Sequence, residues 1–312
     1  MLKVLVLGFN GFIGRHLTAE LAKKNDISLT VFGRNADFGK LDNLHYFQGD
    51  FEDTTALKKA LENQDIVYNF VSHTIPSSSW DNPLLEIEKN LTPTLRLIEL
   101  AAESGVKKIC FPSSGGTIYG LQQNLLTEES LTEPFSPYGI TKRTIESFLQ
   151  YAKFKHRLNY DIYRISNVYG EGQNIGKGLG FINTTLENIV NNRPVVIYGD
   201  GENIRDYIYV KDVVKLLMLS VNKNVKDSDI YNVSSNNPIS LNSLIDLIRN
   251  VTKIDFSVTY VPNRLSDNQK VCLDNSKIMK LCSEMSLCSL EEGIKNTYDY
   301  LKDKSMYAQK SL

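Results

Sequence analysis

The chain is poor in cysteine, in net charge and in long apolar runs, and each shortage excludes something. Only Cys110, Cys272, Cys282 and Cys288 occur in 312 residues. They form no Cys-x-x-Cys pair, and the last three have no histidine near them, so no metal site is indicated and buried thiols are expected. Thirty-five Lys plus Arg against 36 Asp plus Glu leaves a net charge of −1. That balance offers no overall basic field for nucleic acid or an anionic membrane, so any anionic partner must be held locally. No apolar stretch approaches the ~20 residues that span a bilayer. The run Val4 to Leu7 is far shorter than a signal-peptide core. The expectation is a cytoplasmic protein without membrane or nucleic-acid partners. Repeats and low-complexity linkers are also missing. The remainder, 42% hydrophobic and 23% charged, suffices for one large or two modest globular domains.

Short β-branched runs alternate with longer amphipathic stretches through the first half. Val4 to Leu7, Leu29 to Phe32, Ile66 to Val71, Lys108 to Pro112 and Asp161 to Ile165 read as strands. Their continuous apolar character predicts burial on both faces, and therefore a parallel sheet covered by helices. The stretches between them carry helical stripes, as at Ile13, Leu17 and Leu21, and at Leu91, Leu95, Ile98 and Ala102. After Gly170 the texture changes to glycine-rich loops and a shorter helix-and-strand mixture. Ser240 caps a predicted helix containing Leu244, Ile245 and Ile248, and Val258 to Val261 reads as a strand.

Where the first strand ends, Gly8, Gly11 and Gly14 fall three apart and an amphipathic helix begins. Gly8 permits a tight turn, Gly11 lets backbone approach a pyrophosphate, and Gly14 lets helix and strand pack closely. The helix N-terminus then faces the phosphate charge.

Tyr-x-x-x-Lys occurs five times, beginning at Tyr138, Tyr151, Tyr207, Tyr298 and Tyr300, so context must choose among them. The copy at Tyr138 follows Ser136-Pro137, a helix start, and lies after the Lys108 to Pro112 strand and the segment Ser113 to Gly120. A four-residue spacing puts Tyr138 and Lys142 on one helix face. An ammonium beside a phenol, together with a nicotinium charge, stabilises phenolate, so the phenol is expected to fall from its ordinary ~10 towards the working pH.

These motifs, in this order, resemble the extended short-chain dehydrogenases/reductases, specifically the NAD-dependent nucleotide-sugar epimerase/dehydratase family in its UDP-glucose 4-epimerase-like branch. The resemblance covers about residues 3 to 300. It implies an α/β fold, a Rossmann-like doubly wound parallel sheet with a smaller mixed α/β C-terminal substrate domain. Residues 1–166, with a return segment near 204–235, would bind the dinucleotide. Residues 167–203 and 236–302 would form the substrate domain, and 303–312 a frayed polar tail. Cofactor contacts are implied at Gly8, Asn10, Gly11, Phe12, Ile13 and Gly14, and at Asp50-Phe51, which falls where the family brackets adenine. Phe70-Val71-Ser72, Asn90 and Ser113 complete that set, together with Tyr138 and Lys142. At the end of the second strand, Gly33-Arg34 replaces the usual acidic residue, so NADP is possible beside NAD.

The same resemblance makes Tyr138 the acid/base towards a sugar hydroxyl, with Lys142 on the nicotinamide ribose. The family's usual Ser or Thr, four residues before Tyr119-Gly120, is here Gly115, so Thr117 or Ser114 would supply that hydroxyl. The acid and base of the related dehydratases are missing from the segment. Asn167, in Arg164 to Gly170, and Arg205, in Arg205-Asp206-Tyr207, are implied to hold the substrate diphosphate, with Arg264 as the second side of the clamp. The implied activity is a nucleotide-sugar 4-epimerase, an isomerase of nucleotide-sugar metabolism and polysaccharide biosynthesis, acting on a UDP-hexose or UDP-N-acetylhexosamine through a 4-keto intermediate with tightly bound NAD. The alternatives are an NADP-dependent 4-keto-sugar reductase and a cofactor sensor without turnover. A homodimer is implied as well.

Overall fold

The computed structural model describes residues 1–35, 44–122, 124–175, 180–222, 227–262 and 270–310, with side chains as far as residue 305. The chain divides into two compact units. The first comprises Met1–Gly120, Leu131–Ile165 and Val214–Asn232; the second comprises Leu121–Ser130, Ser166–Val213 and Val233–Leu312.

Seven strands make the sheet of the first unit: β1 (Leu2–Leu7), β2 (Ile27–Gly33), β3 (Leu44–Gln48), β4 (Ile66–Asn69), β5 (Lys108–Ser114), β6 (Asn159–Ile165) and β7 (Asp229–Val233). Their spatial order is β7-β6-β5-β4-β1-β2-β3. Every pairing from β6 to β3 is parallel. The expected strands are present because their side chains have core on both sides: Val4, Leu5, Val6 and Leu7 are all fully buried. Strands β3 and β7 lie outside the sequence expectation, since Leu44–Gln48 and Asp229–Val233 are interrupted by polar residues and occupy the two edges.

Among the helices flanking this sheet are α1 (Phe12–Leu21), α2 (Thr54–Leu61), α3 (Thr92–Glu103) and α4 (Pro137–His156). Each presents an apolar stripe, and Leu57, Leu61, Leu97, Ile98, Ile145 and Leu149 join Leu5, Leu7, Val67 and Ile109 in one core. Ser136 caps α4 by accepting from the Gly139 amide, with Pro137 at the first helical position, as its sequence predicts. Within this apolar sheet, Lys108 and Asp161 form an ion pair of 2.9 Å with both side chains fully buried.

In the second unit, Ile204–Tyr209 lies between Asn167–Tyr169 and Pro238–Ser240 in a three-stranded sheet. Val195–Tyr198 pairs in parallel with Val258–Val261 over Ile245, and Leu125–Leu126 with Cys272–Leu273. Ser240 caps the helix Leu241–Thr252 by accepting from the Ser243 amide, as expected.

The units differ from the expected boundaries in three ways. Residues 204–213 stay with the second unit, because Tyr207–Tyr209 pair with Asn167–Tyr169; the return is therefore 214–232, not 204–235. Residues 121–130 join the second unit through the Leu125–Leu126 pairing. The helix Leu290–Lys310 runs through most of the supposed frayed tail, where Lys304, Ala308 and Gln309 all favour helix. Cys110 and Cys272 are buried as expected, whereas Cys282 and Cys288 are only half-buried. No cluster of metal-ligating side chains occurs among the described residues. No helix among them is long and apolar enough to cross a membrane.

Candidate active site

Strand order reverses between β1 and β4, and in an open parallel sheet a crevice forms beyond the carboxyl ends of the strands at that point. The turn after β1 and the residues after β4 both lie there. Gly8 has φ +74°, a left-handed conformation, and a Cβ at this position would sit 2.7 Å from the Phe70 carbonyl carbon. A Cβ on Gly14 would lie 2.4 Å from the Gly8 oxygen. The Gly11 amide donates to the Gly8 carbonyl at 3.0 Å, which closes the turn, and Gly11 starts α1 without a side-chain cap. The first turn of α1 carries no acidic residue, so its amide ends face the crevice without a competing negative charge.

Around this turn, the Asn10 amide bridges to the Asn35 carbonyl at 3.0 Å, Phe12 packs edge-on to His16, and Ile13 is half-buried. Arg34 is exposed at the end of β2, with its carbonyl accepting from Gln48. Asp50 is exposed and Phe51 half-buried against the core. Phe70 stacks on Tyr68, the Val71 amide donates to Asn69, and the Ser72 hydroxyl donates to the Thr74 carbonyl.

Beyond β5, helix α4 brings Tyr138 and Lys142 to one face. Lys142 Nζ donates to the Pro112 carbonyl at 3.0 Å and lies 4.6 Å from the Phe111 ring centre and 5.4 Å from that of Tyr138. Burial pulls the ammonium down to about 8, against the opposing pull of Glu86 and Glu146. The unfolded chain therefore holds a proton on Lys142 between pH about 8 and 10.5 that the folded chain has released. The resulting cost to stability is full below pH 8 and disappears as pH rises through that window. At Tyr138, burial first and the charge of Glu86 second push the phenol above its ordinary value, so Lys142 alone does not make it a phenolate.

Three buried polar atoms at this crevice, Asn69 Nδ2, Ser113 Oγ and Thr117 Oγ1, have no hydrogen-bond partner among the described residues. Buried polar atoms are rarely left so without a ligand to meet them. Together with the Gly8 and Gly14 positions, where side chains do not fit, they make a cradle suited to a dinucleotide. Of the two hydroxyl candidates, Thr117 has its backbone carbonyl 2.8 Å from where a Cβ on Gly139, the residue after Tyr138, would be. Ser114 instead uses its carbonyl to hold the turn, accepting from Thr117 and Ile118.

One group at the site has no signature in the sequence. Glu86 and Asn90 lie on a π-helical turn, Glu86–Leu91, ahead of α3. Thr74 donates to Glu86, Asn90 Nδ2 donates to the second carboxylate oxygen at 3.0 Å, and Asn90 Oδ1 accepts from the His73 amide at 2.8 Å. The expected cofactor contact Asn90 thus has its amide built into this cluster. No spacing rule marks Glu86, since a π turn breaks the helical period.

In the second unit, Asn167 Nδ2 donates to the Asp206 carbonyl at 2.9 Å, and Arg205 is half-buried on the central strand, where it donates to the Ile204 carbonyl. Arg264 lies outside the described residues. Arg164, at the head of the same motif as Asn167, belongs to the first unit's interior, where it is paired with Glu146 at 2.8 Å.

Residues 4–234 match the NAD dependent epimerase/dehydratase family. Among solved structures, the UDP-glucose 4-epimerase of Thermotoga maritima with UDP-glucose is similar at 30% identity and TM-score 0.89, covering 97% of this chain and 100% of that one. The Thermus thermophilus UDP-glucose 4-epimerase complex with NAD is similar at 27% identity and TM-score 0.87, over 96% and 99%. A dTDP-4-dehydro-6-deoxyglucose reductase of Escherichia coli is 32% identical over 255 residues, 78% of this chain and 80% of the relative.

Proposed function

This chain belongs to the NAD dependent epimerase/dehydratase family, and we propose that it is a nucleotide-sugar 4-epimerase using NAD, with a UDP-hexose or UDP-N-acetylhexosamine as substrate. The observation that carries the reading is the Tyr138–Lys142 face, with the Lys142 ammonium 5.4 Å from the Tyr138 ring centre. An alcohol oxidation needs one proton acceptor at the sugar hydroxyl, and this face supplies one. Elimination of water needs a further acid and base, and the segment Ser113 to Gly120 contains neither. The nearby carboxylate of Glu86 has both oxygens engaged by Thr74 and Asn90.

Tyr138 takes the proton of the sugar 4-hydroxyl as its carbon is oxidised, and returns it after the 4-keto sugar has turned its other face. Thr117 donates to the same oxygen and fixes its position. Lys142 would hold the nicotinamide ribose and keep a positive charge beside the phenol, and the turn from Gly8 to Gly14 would hold the pyrophosphate on backbone amides. NAD held there would supply reversible hydride chemistry with no net consumption. Asn167 and Arg205 are assigned to the substrate diphosphate, a planar guanidinium offering two parallel donors. Holding the sugar in attack geometry supplies much of the acceleration.

Incubating the protein with UDP-glucose, and separately with UDP-N-acetylglucosamine, tests this. A 4-epimer should accumulate to equilibrium with no net change in dinucleotide oxidation. A second reading, the 4-keto-sugar reductase, is favoured by Gly33-Arg34 in place of an acidic residue. Stoichiometric NADPH consumption with a 4-keto sugar, and no epimer, would replace the first reading with the second.

A homodimer also belongs to this proposal. Ile140, Phe148, Tyr151 and Phe154 form an exposed stripe along α4, with Phe154 90% exposed. A soluble helix seldom leaves four large apolar side chains on one face uncovered. A second copy covering this stripe predicts a dimer by light scattering and a shift to monomer in a Phe148→Glu/Phe154→Glu variant; a wild-type monomer at assay concentration removes the proposal.

A further inference from the structure

Arg164 lies near the end of β6, is 4% exposed, and makes hydrogen bonds to two different elements. Its Nε and Nη2 donate to the two carboxylate oxygens of Glu146 at 3.2 and 2.8 Å, while Nη1 donates to the Tyr119 hydroxyl at 3.0 Å. A planar guanidinium that grips a carboxylate through two bonds has its remaining donors aimed in a fixed direction. Here that direction is Tyr119, whose ring centre also lies 5.0 Å from the guanidinium carbon. The Tyr119 hydroxyl accepts from Arg164 and donates to Asn232 Oδ1 at 2.6 Å, so its orientation is set from both sides. Glu146, Tyr119 and Asn232 are all buried.

The two elements joined in this way carry the groups assigned to the reaction. Glu146 is one helical turn beyond Lys142 on α4, the helix that also carries Tyr138. Tyr119 lies two residues after Thr117, in a segment where residues 115–120 adopt turns and not helix or strand. Near β5 this segment is held by backbone bonds: the Gly115 amide donates to the Ile165 carbonyl at 2.9 Å, and the Thr117 and Ile118 amides donate to the Ser114 carbonyl. Its far end turns sharply at Gly120, with φ +75° and a Cβ position 2.4 Å from the Glu133 carbonyl oxygen. Between these points the Thr117 carbonyl comes within 2.8 Å of the Cβ position of Gly139 on α4. The segment and the helix therefore approach each other at Gly139 and are tied through Arg164 at Glu146.

We propose that Arg164 is a positioning residue of the reaction: through Glu146 on one side and Tyr119 on the other, it fixes segment 113–120 against α4 and so holds the Thr117 hydroxyl where it meets the substrate oxygen. The inference rests on the epimerase reading for its kinetic consequence. Its physical content, a tether between segment and helix, is measurable without turnover.

Tyr119→Phe keeps the ring and removes only the hydroxyl that receives Arg164. It should lower kcat about tenfold, with KM and dinucleotide content unchanged, because a small displacement of an oriented group is costly in rate. Arg164→Lys, which keeps a cation beside Glu146 but lacks the fork, should reproduce the loss. In a Thr117→Ala background, Tyr119→Phe should cost less than about twofold further, since the hydroxyl it displaces is already gone. Hydrogen exchange without substrate should quicken about tenfold at the Gly115, Thr117 and Ile118 amides in Tyr119→Phe, while α4 keeps its protection. Equal loss of kcat in both backgrounds would mean that Arg164 acts through general packing, and would overturn the inference. Unchanged exchange across segment 113–120, or wild-type kcat in Thr117→Ala, would overturn it as well. If wild type does not epimerise, the functional reading fails while the exchange measurement still decides the tether.

Discussion

Tyr138→Phe is expected to lower kcat about a thousandfold, within the usual range for loss of a positioned acid/base, while leaving fold and dinucleotide content intact. The expectation is specific because the Tyr138 hydroxyl has no hydrogen-bond partner among the described residues. Removing it strands no buried donor or acceptor, so the stability change should be small, within about 0.5 kcal/mol. Loss of turnover then reports chemistry and not collapse. Dinucleotide released on denaturation, quantified against protein, gives the cofactor content. Retention of more than a tenth of wild-type kcat would mean that another group moves the proton, and the assignment of Tyr138 would be withdrawn. Loss of activity together with loss of dinucleotide would move the residue's role from proton transfer to binding.

The second large effect lies in the sheet, away from the crevice. Lys108 on β5 pairs with Asp161 on β6, two residues past its register partner Asn159, both are fully buried, and Ser220 donates to the same carboxylate oxygen at 2.6 Å. Burying two charges costs several kcal/mol each, and their attraction roughly balances it only while both are present. Asp161→Ala should therefore destabilise by about 3–5 kcal/mol, because it leaves an ammonium in an apolar sheet. Replacing the pair together, as Lys108→Met with Asp161→Leu, should recover most of that loss. Urea unfolding of the three proteins measures both differences. If the double replacement is no better than Asp161→Ala, the penalty comes from packing and not from the broken ion pair.

Much of the first unit is legible in the sequence because its physics is local. A parallel strand buried on two faces must be an apolar run, which marks β1, β2, β4, β5 and β6. A phosphate turn must lack side chains, so the three glycines stand out, and the structure shows the contacts that forbid a Cβ at Gly8 and Gly14. Tyr138 and Lys142 are separable from four other copies of their motif because Ser136-Pro137 marks a helix start. Edge strands β3 and β7 carry no such signature, since an edge tolerates polar residues.

What the amino-acid order determined alone was the identity of the five central strands, the glycine turn and the shared helix face of Tyr138 and Lys142, each set by neighbours within a few residues or by side-chain size. Tertiary structure decided the rest. It decided that residues 204–213 stay with the second unit, and that the Thr117 hydroxyl is buried without a hydrogen-bond partner among the described residues. It also brought Thr74, Glu86 and Asn90 together at the site. The reason is range: a carboxylate's influence on a phenol depends on distance and burial, and a segment remote in the chain can supply both only after the fold has closed.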